Sequence, residues 1–305
     1  MAEDLGDLKG VGSSTVEDFN KMGIESLSDL ARADSELASE HDVSMSESRL
    51  QGFIEDAASA AVVIQTGEEV VEEYEQRGKV STGIKSLDEK IGGWDNQALI
   101  AVGGSTGSGK TQLAFQALGN AVQESDGTPA IYIETEPDRY RGHRIQQMFD
   151  EETQANVHKV SVAGEEALDK QYRAYEAVKE QYDDASMVVV DSFTARFRLA
   201  TKFDGRKNLG ERNQEFSRHL AKLEQMSHDL DCPVLLNCQV YANPTQYGGS
   251  SVIYGSSLMM HMVNYVVMMS GRSGQLTEIR VQNHPENGDF DVLAQINDDG
   301  MEYAE

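Results

Sequence analysis

The pattern of apolar and polar residues changes near residue 60. Before that point, apolar residues recur at the spacing of short helices, and no segment has the pattern of a strand. The clearest of these helices carries a single apolar face, formed by Leu50, Phe53, Ile54, Ala57, Ala58 and Ala61. This face predicts the core of a small all-helical domain. An acidic stretch, residues 68–78, then predicts a connector to the rest of the chain.

Beyond the connector, short apolar runs end at glycines or carboxylates. The run 98–102 leads into a glycine-rich turn, 130–133 leads into Glu134 and Glu136, and 187–190 leads into Asp191. Apolar runs of this length predict parallel strands that are buried on both faces. Since ligands of open α/β sheets bind where the strands end, these polar residues are candidates for one site.

The glycine-rich turn has the pattern of a P-loop, Gly104-x4-Gly109-Lys110-Thr111. Glycines let backbone N–H groups converge on phosphate oxygens, the lysine reaches the β and γ phosphates, and the threonine hydroxyl can ligate Mg²⁺. An amphipathic helix follows, so a glycine-rich turn without a ligand is the weaker alternative. The predicted nucleotide-binding residues are Gly104, Ser105, Thr106, Gly107, Ser108, Gly109, Lys110, Thr111 and Gln112.

Three carboxylates could complete a site for ATP and Mg²⁺. Asp191 ends a buried run at the distance expected of a second magnesium residue, and we expect it to pair with Thr111. A carboxylate near the γ-phosphate could polarise the attacking water, and Glu136 is the candidate for this general base. A solvated strand end is the alternative for Glu136 and the favoured interpretation of Glu134.

Composition limits the possible partners. The chain has 305 residues, with 52 Asp and Glu against 26 Lys and Arg, and a formal charge of -26 that alone argues against binding DNA. The acidic residues are spread over nearly every helix, which is typical of a protein in a high-salt cytoplasm, where charges are screened. No segment has the length of a membrane span, and the acidic start lacks the features of a secretory signal, so we expect a cytoplasmic protein without a membrane partner.

Two kinds of segment could nevertheless hold DNA phosphates. The turn Leu8-Lys-Gly10-Val-Gly12 before a helix resembles a helix-hairpin-helix element, although an ordinary helical turn is the alternative. A basic loop at about residues 198–212 contains Arg198, Lys202, Arg206, Lys207 and Arg212. A second loop, roughly Tyr241 to Gly255, is rich in Gly, Ser and Tyr and could order on DNA, with Tyr241, Tyr247 or Tyr254 available for contact or stacking. Gly248 and Gly249 of this loop are further DNA-binding candidates.

The order of these segments resembles that of the archaeal RadA recombinases of the RecA/Rad class. The similarity includes the helix-hairpin-helix, Ser81–Asp88 ahead of Gly92-Gly93, the P-loop, Tyr132–Glu136 and Val190–Ala195. It implies a RecA-type α/β ATPase core with a mostly parallel sheet (79–305), a linker with a polymerisation motif (61–78) and a small all-helical N-terminal domain (1–60). By resemblance, Glu136 is the ATPase base, Arg141 stacks on adenine, Gln239 senses the γ-phosphate and Pro285 caps a neighbour's nucleotide.

The implied function is ATP-dependent filament formation on single-stranded DNA, followed by pairing and strand exchange with double-stranded DNA. The partners are then DNA, further copies in a filament or ring, and recombination mediators. One alternative is a paralogue that loads or regulates another recombinase; another is a RecA-type ATPase switch that does not touch DNA. Two departures bear on this choice: Tyr254 replaces a histidine that is usual in the family, and Asn283 stands where an aspartate is frequent, which leaves cation activation open.

The polymerisation motif departs from the family as well. Family members insert an aromatic residue from this motif into a neighbouring core, but here Ile64-Gln-Thr-Gly67 fills the place. An aromatic ring contributes about 1 kcal/mol beyond its buried area, so we expect weaker filaments, or filaments that depend more on ATP and DNA. Ile64→Phe should therefore sediment as a larger polymer than the wild type. No gain in polymer would contradict this assignment.

Overall fold

The computed structural model describes residues 5–60, 66–137, 139–162, 167–200, 208–242, 251–272 and 275–304. Its internal contacts form two compact units, Met1–Gln76 and Arg77–Glu305. Several residues with predicted roles lie outside the described parts, namely Ala61, Ile64, Lys202, Arg206, Lys207, Tyr247, Gly248 and Gly249.

Helices are the only regular secondary structure among the described residues of the first unit. Its elements are a short 3-10 helix (Leu5–Asp7), α1 (Ser13–Lys21), α2 (Leu27–Arg32), α3 (Leu37–Glu40), α4 (Glu47–Ala60) and α5 (Gly67–Gln76). The predicted apolar face of α4 supplies Leu50, Phe53, Ile54 and Ala57 to the core, where the Phe53 ring meets the Phe19 ring edge-on at 5.6 Å. The predicted connector is largely helix α5, which begins with reciprocal hydrogen bonds between Thr66 and Glu69.

The second unit is built on a nine-stranded sheet. The chain contributes β1 (Lys79–Val80), β2 (Trp94–Asp95), β3 (Leu99–Gly104), β4 (Ala130–Glu134), β5 (Val157–Ser161), β6 (Met187–Asp191), β7 (Val234–Cys238), β8 (Val240–Ala242), β9 (Ser251–Ile253), β10 (Tyr265–Gly271), β11 (Leu276–Asn283), β12 (Phe290–Ile296) and β13 (Met301–Tyr303). The large sheet has the order β13-β12-β11-β10-β3-β7-β6-β4-β5, while β1-β2 and β8-β9 form separate pairs.

Strands β10, β3, β7, β6, β4 and β5 pair in parallel, and β11 to β13 extend the sheet in antiparallel fashion. The predicted α/β class with a mostly parallel sheet is confirmed. The antiparallel extension was not predicted, because its strands alternate apolar and exposed residues and lack the continuous apolar runs of the centre.

Helices cover both faces of the sheet. They are α6 (Lys85–Ile91), α7 (Lys110–Glu124), α8 (Gly142–Met148), α9 (Glu151–Ala155), α10 (Ala167–Gln181), α11 (Ala195–Leu199), α12 (Leu209–Asp229) and α13 (Ser256–Met262). Alternate residues of each central strand enter different cores: Ile100 and Val102 pack on the α7 side, whereas Leu99 and Ala101 pack on the α12 side. No helix in the described parts of the chain is long and apolar enough to span a membrane.

Strand register determines where the polar strand ends meet. Glu134 pairs with Asp191, and Asp191 pairs with Asn237, so the ends of β4, β6 and β7 lie side by side at the P-loop edge of the sheet. Strand β11 runs the other way, and Asn283 at its end pairs with Val266 near the start of β10. The loop that follows Asn283 therefore lies at the opposite edge.

Two glycines inside helices provide a test of this packing. An added Cβ at Gly119 of α7 would lie 2.1 Å from the Phe149 ring, whereas at Gly52 of α4 it would meet nothing within 4 Å. Gly119→Ala should therefore destabilise the core by about 1–3 kcal/mol, although helix propensity favours alanine. Gly52→Ala should stabilise its unit by about 0.5–1 kcal/mol.

Chemical denaturation of the full chain, followed for each variant beside the wild type, measures both effects. Stabilisation by Gly119→Ala would show that α7 does not pack against Phe149 as described.

Candidate nucleotide-binding site

The P-loop joins β3 to α7 in a conformation that requires glycine. Gly107 and Gly109 have φ of 81° and 96°, in the left-handed region that side chains disfavour. At Gly104, a Cβ would lie 2.4 Å from the Ser108 hydroxyl and 2.6 Å from the Met269 carbonyl. The turn leads directly into the N-terminus of the 15-residue helix α7, where free backbone N–H groups and the helix dipole favour an anion.

This turn forms the floor of a cleft of about 400 Å³. The predicted P-loop residues 104–112 line it together with Glu136, Asp191 and Gln239. Arg198, which was predicted to bind DNA, lines it as well. Four lining residues have no predicted role: Arg139, Ser192, Val240 and Ile296. Arg139 was detectable as a cation three residues after Glu136, whereas Ile296 enters from β12 and gives no local signal in the sequence.

Asp191 and Thr111 are directly bonded. The Thr111 hydroxyl donates to Oδ2 of Asp191 at 2.8 Å, and the Tyr132 hydroxyl donates to the same oxygen at 2.8 Å. The Thr111 hydroxyl and the Asp191 carboxylate are hard oxygen ligands of the kind that Mg²⁺ prefers. No cluster of three or more His, Cys, Asp or Glu side chains suited to a metal occurs among the described residues. The donors therefore fit an ion held by one or two protein oxygens and completed by phosphates.

Lys110 turns toward its own loop. Its ammonium donates to the carbonyls of Gly104 and Ser105 at 2.7 and 3.0 Å. Burial lowers the pKa of Lys110, and the nearby Asp191 carboxylate opposes that shift. A phosphate in the cleft would provide the anionic partner that the carbonyls replace only in part.

Glu136 and Glu134 have different surroundings. Glu136 borders the cleft, and its carboxylate pairs with Arg139 at 3.3 Å. The expectation that Glu134 is a solvated strand end was wrong, because Glu134 is only 6% exposed. It accepts hydrogen bonds from Lys159 at 2.7 Å and from the Tyr140 amide at 2.8 Å. Burial alone would raise the pKa of Glu134, but these two donors hold it below its ordinary value.

Gln239 connects the cleft to the segments predicted to hold DNA. Its side-chain oxygen accepts a hydrogen bond from Arg198, and its backbone oxygen accepts one from the Tyr254 amide at 3.0 Å. The Arg212 guanidinium lies 5.3 Å from the Tyr254 ring centroid and donates to its hydroxyl at 3.1 Å. Both ends of the predicted basic loop are helical, since Arg198 lies in α11 and Arg212 in α12.

The remaining predicted residues lie elsewhere. Arg141 is exposed at the start of α8 and does not line the cleft, and Pro285 is exposed in the loop after β11. Arg144 contacts the side chain of Gln112 at 2.6 Å and thus reaches the P-loop helix, but its position three residues after Arg141 gave no signal that favoured it. Gly10 and Gly12 form the exposed turn before α1, and only Gly10 takes a left-handed φ, of 88°.

Tyr241 also lies outside the cleft lining. Its side chain is 49% exposed on β8, which pairs with β9. The second predicted loop therefore includes a strand pair in its described parts.

Comparisons with known proteins match the chain to one protein family and to relatives over nearly its full length. Residues 75–304 match the Rad51 family. The DNA repair and recombination protein RadA of Halobacterium salinarum is 28% identical over 341 aligned residues, which cover 98% of this chain and 98% of that protein. The DNA repair and recombination protein RadA of Methanococcus maripaludis is 26% identical over 349 residues, with 99% and 100% covered.

The ion pair between the buried Glu134 carboxylate and the exposed Lys159 ammonium predicts a pH-dependent contribution to stability. Glu134→Gln leaves the Lys159 ammonium without its carboxylate and should lower the free energy of unfolding by about 1–3 kcal/mol at pH 7. Because the folded-state pKa of Glu134 lies below its ordinary value of 4.5, this contribution is complete above pH 4.5 and is lost as the pH falls through the folded pKa. Denaturation of wild type and variant between pH 7 and 3.5 measures the difference in their free energies of unfolding.

The pair of exposed Arg272 and partly buried Glu278 provides the control. Glu278→Gln should change the free energy of unfolding by less than about 1 kcal/mol. If the difference in free energy of unfolding between wild type and Glu134→Gln stays constant down to the lowest pH, the ion pair is contradicted.

Proposed function

Because the chain belongs to the Rad51 family, we propose that it is a DNA-dependent ATPase that assembles on single-stranded DNA and catalyses pairing and strand exchange in recombination and repair. One observation supports this proposal above all. The P-loop, Asp191, Glu136 and Gln239 come from four separate parts of the chain, yet they line a single cleft. Two RadA proteins named for DNA repair and recombination are similar over nearly the whole chain.

In the proposed site, the P-loop amides and Lys110 bind the phosphates of ATP, while Thr111 and Asp191 hold Mg²⁺. The bound ion would neutralise charge on the phosphate oxygens during phosphoryl transfer. Lys110 can leave the Gly104 and Ser105 carbonyls at little cost, since its flexible side chain exchanges neutral acceptors for charged ones.

Glu136 is proposed to orient the attacking water and accept its proton. Glu136 follows the end of β4 and lines the same cleft as the P-loop, although the two segments are separate in sequence. Its partner Arg139 also lines the cleft. A phosphate can compete for the Arg139 guanidinium, which would free the Glu136 carboxylate to act on water.

DNA binding is proposed to depend on Arg198, Arg206, Lys207 and Arg212, with Tyr241 and the glycine pair Gly248-Gly249 in the second loop. Gly10 and Gly12 would contribute a further backbone contact to phosphate. Gln239 lines the cleft and contacts both DNA segments: its side chain bonds to Arg198 of the first, and its backbone oxygen bonds to Tyr254 of the second. A nucleotide that contacts and moves Gln239 would therefore displace both segments at once. ATP binding could change the affinity for DNA in this way.

Assembly into a filament or ring would place the nucleotide between copies. Pro285 lies at the edge of the sheet opposite the P-loop of its own chain, because β11 runs antiparallel to β10. It can therefore contact a nucleotide only on another copy. The Ile64–Gly67 segment is the proposed link between neighbours, and mediators that assist loading would act on such an assembly.

Hydrolysis in high salt tests the proposal. At about 1–3 M KCl, where surface charges are screened, the wild type should release phosphate faster with single-stranded DNA than without it. The DNA-stimulated rate of phosphate release should be at least about 100-fold lower in Glu136→Gln, because general-base catalysis is removed while the phosphate ligands remain. Glu89→Gln, on the exposed surface of α6, should behave as the wild type.

A rate that DNA does not stimulate would contradict the proposed coupling. Full activity of Glu136→Gln would reject Glu136 as the base and leave the ATPase assignment intact.

A further inference from the structure

Two hydroxyl groups donate to one oxygen of Asp191. Thr111 belongs to the P-loop helix and is a proposed metal ligand, but Tyr132 lies on β4 and does not line the cleft. Both donors reach Oδ2 at 2.8 Å. Two donors from different elements thereby hold the Asp191 side chain through this one oxygen.

The position of the Tyr132 hydroxyl is itself tightly determined. Tyr132 is fully buried. Its ring packs against Phe115 of α7 at 5.4 Å and against Tyr140 at 5.3 Å, and Phe115 meets Tyr140 edge-on at 5.6 Å. These three rings connect the P-loop helix, strand β4 and the segment that follows Glu136, so any movement of the Tyr132 ring would disturb all three elements.

The donor and acceptor roles fit this arrangement. Tyr132 is buried and its hydroxyl lies 2.8 Å from a carboxylate oxygen, so the phenol donates and the carboxylate accepts. A carboxylate that is only 4% exposed needs hydrogen-bond donors, and the Tyr132 hydroxyl supplies one without adding a charge that would compete with the metal.

We propose that Tyr132 is the positioning residue for Asp191: its hydroxyl holds the carboxylate in the orientation that binds Mg²⁺ together with Thr111. Groups that orient metal ligands in this way commonly account for 10–100-fold of the affinity for the metal. Tyr132 touches neither nucleotide nor metal and acts only through Asp191. The inference rests on the proposed ATP and Mg²⁺ site.

Tyr132→Phe tests the inference, since it removes the hydroxyl and keeps the ring that fills the aromatic cluster. The probe is a fluorescent, non-hydrolysable ATP analogue titrated with MgCl2 at constant KCl. The half-saturating Mg²⁺ concentration for tight analogue binding should rise about 10-fold in the variant. Binding of the same analogue in EDTA should change less than about twofold, because the phosphate contacts are intact.

Tyr175→Phe is the matched control. Tyr175 is also fully buried, and its hydroxyl accepts a hydrogen bond from Gln171 at 2.7 Å in the core on the other face of the sheet. Both variants lose one buried hydrogen bond and should show similar losses in unfolding midpoint. Only Tyr132→Phe should change the Mg²⁺ dependence, and an equal change in Tyr175→Phe would indicate a general loss of stability and overturn the proposal.

Asp191→Asn separates the inference from the function on which it rests. If Asp191→Asn abolishes the Mg²⁺ dependence while Tyr132→Phe leaves it at the wild-type value, the metal site stands and Tyr132 has no positioning role. If Asp191→Asn itself has no effect, the proposed metal site fails. In the Asp191→Asn background, adding Tyr132→Phe should produce no further change, and an additive change would also reject the proposal.

Discussion

The hydrogen bond between Thr111 and Asp191 is the contact on which the site depends. It connects the first turn of α7 to the end of β6 across the edge of the sheet, at 2.8 Å. A buried carboxylate must be satisfied by donors, and the parallel register places it where the P-loop helix begins. Glycines at positions 107 and 109 make the approach possible, because the loop backbone takes left-handed conformations there. The sheet order, the loop and the helix therefore meet at the position of the proposed metal ion.

From this position, contacts extend toward the proposed DNA segments. Gln239 follows β7, the strand beside β6, so the register that places Asp191 also places Gln239 at the cleft. Its contact with Arg198 holds a cationic side chain at the cleft of a chain whose formal charge is -26. In the proposed function, a polyanionic nucleotide and DNA would interact with neighbouring groups, and salt would weaken both interactions. This proximity would give a physical basis for the proposed coupling between hydrolysis and DNA release.

Much of the centre of the fold was predictable because local patterns there agree with tertiary structure. The runs before Gly104, Glu134 and Asp191 form buried parallel strands, and the P-loop pattern determines its own backbone shape. The antiparallel strands were missed since exposed residues interrupt their apolar positions. The burial of Glu134 was missed because Lys159, its partner, comes from β5 and is distant in sequence. Tyr132 showed no signal of its own, as the sequence cannot reveal which face of a buried strand a hydroxyl reaches.

In the proposed function, ATP in this cleft changes the affinity of the protein for DNA. Single-stranded DNA binding should be measured by fluorescence anisotropy at constant KCl, with a non-hydrolysable ATP analogue and with ADP, for wild type and Lys110→Ala. Because of this coupling, the analogue should tighten wild-type binding about 10-fold relative to ADP and should have no effect on Lys110→Ala. Equal DNA affinity of the wild type with both nucleotides would contradict it.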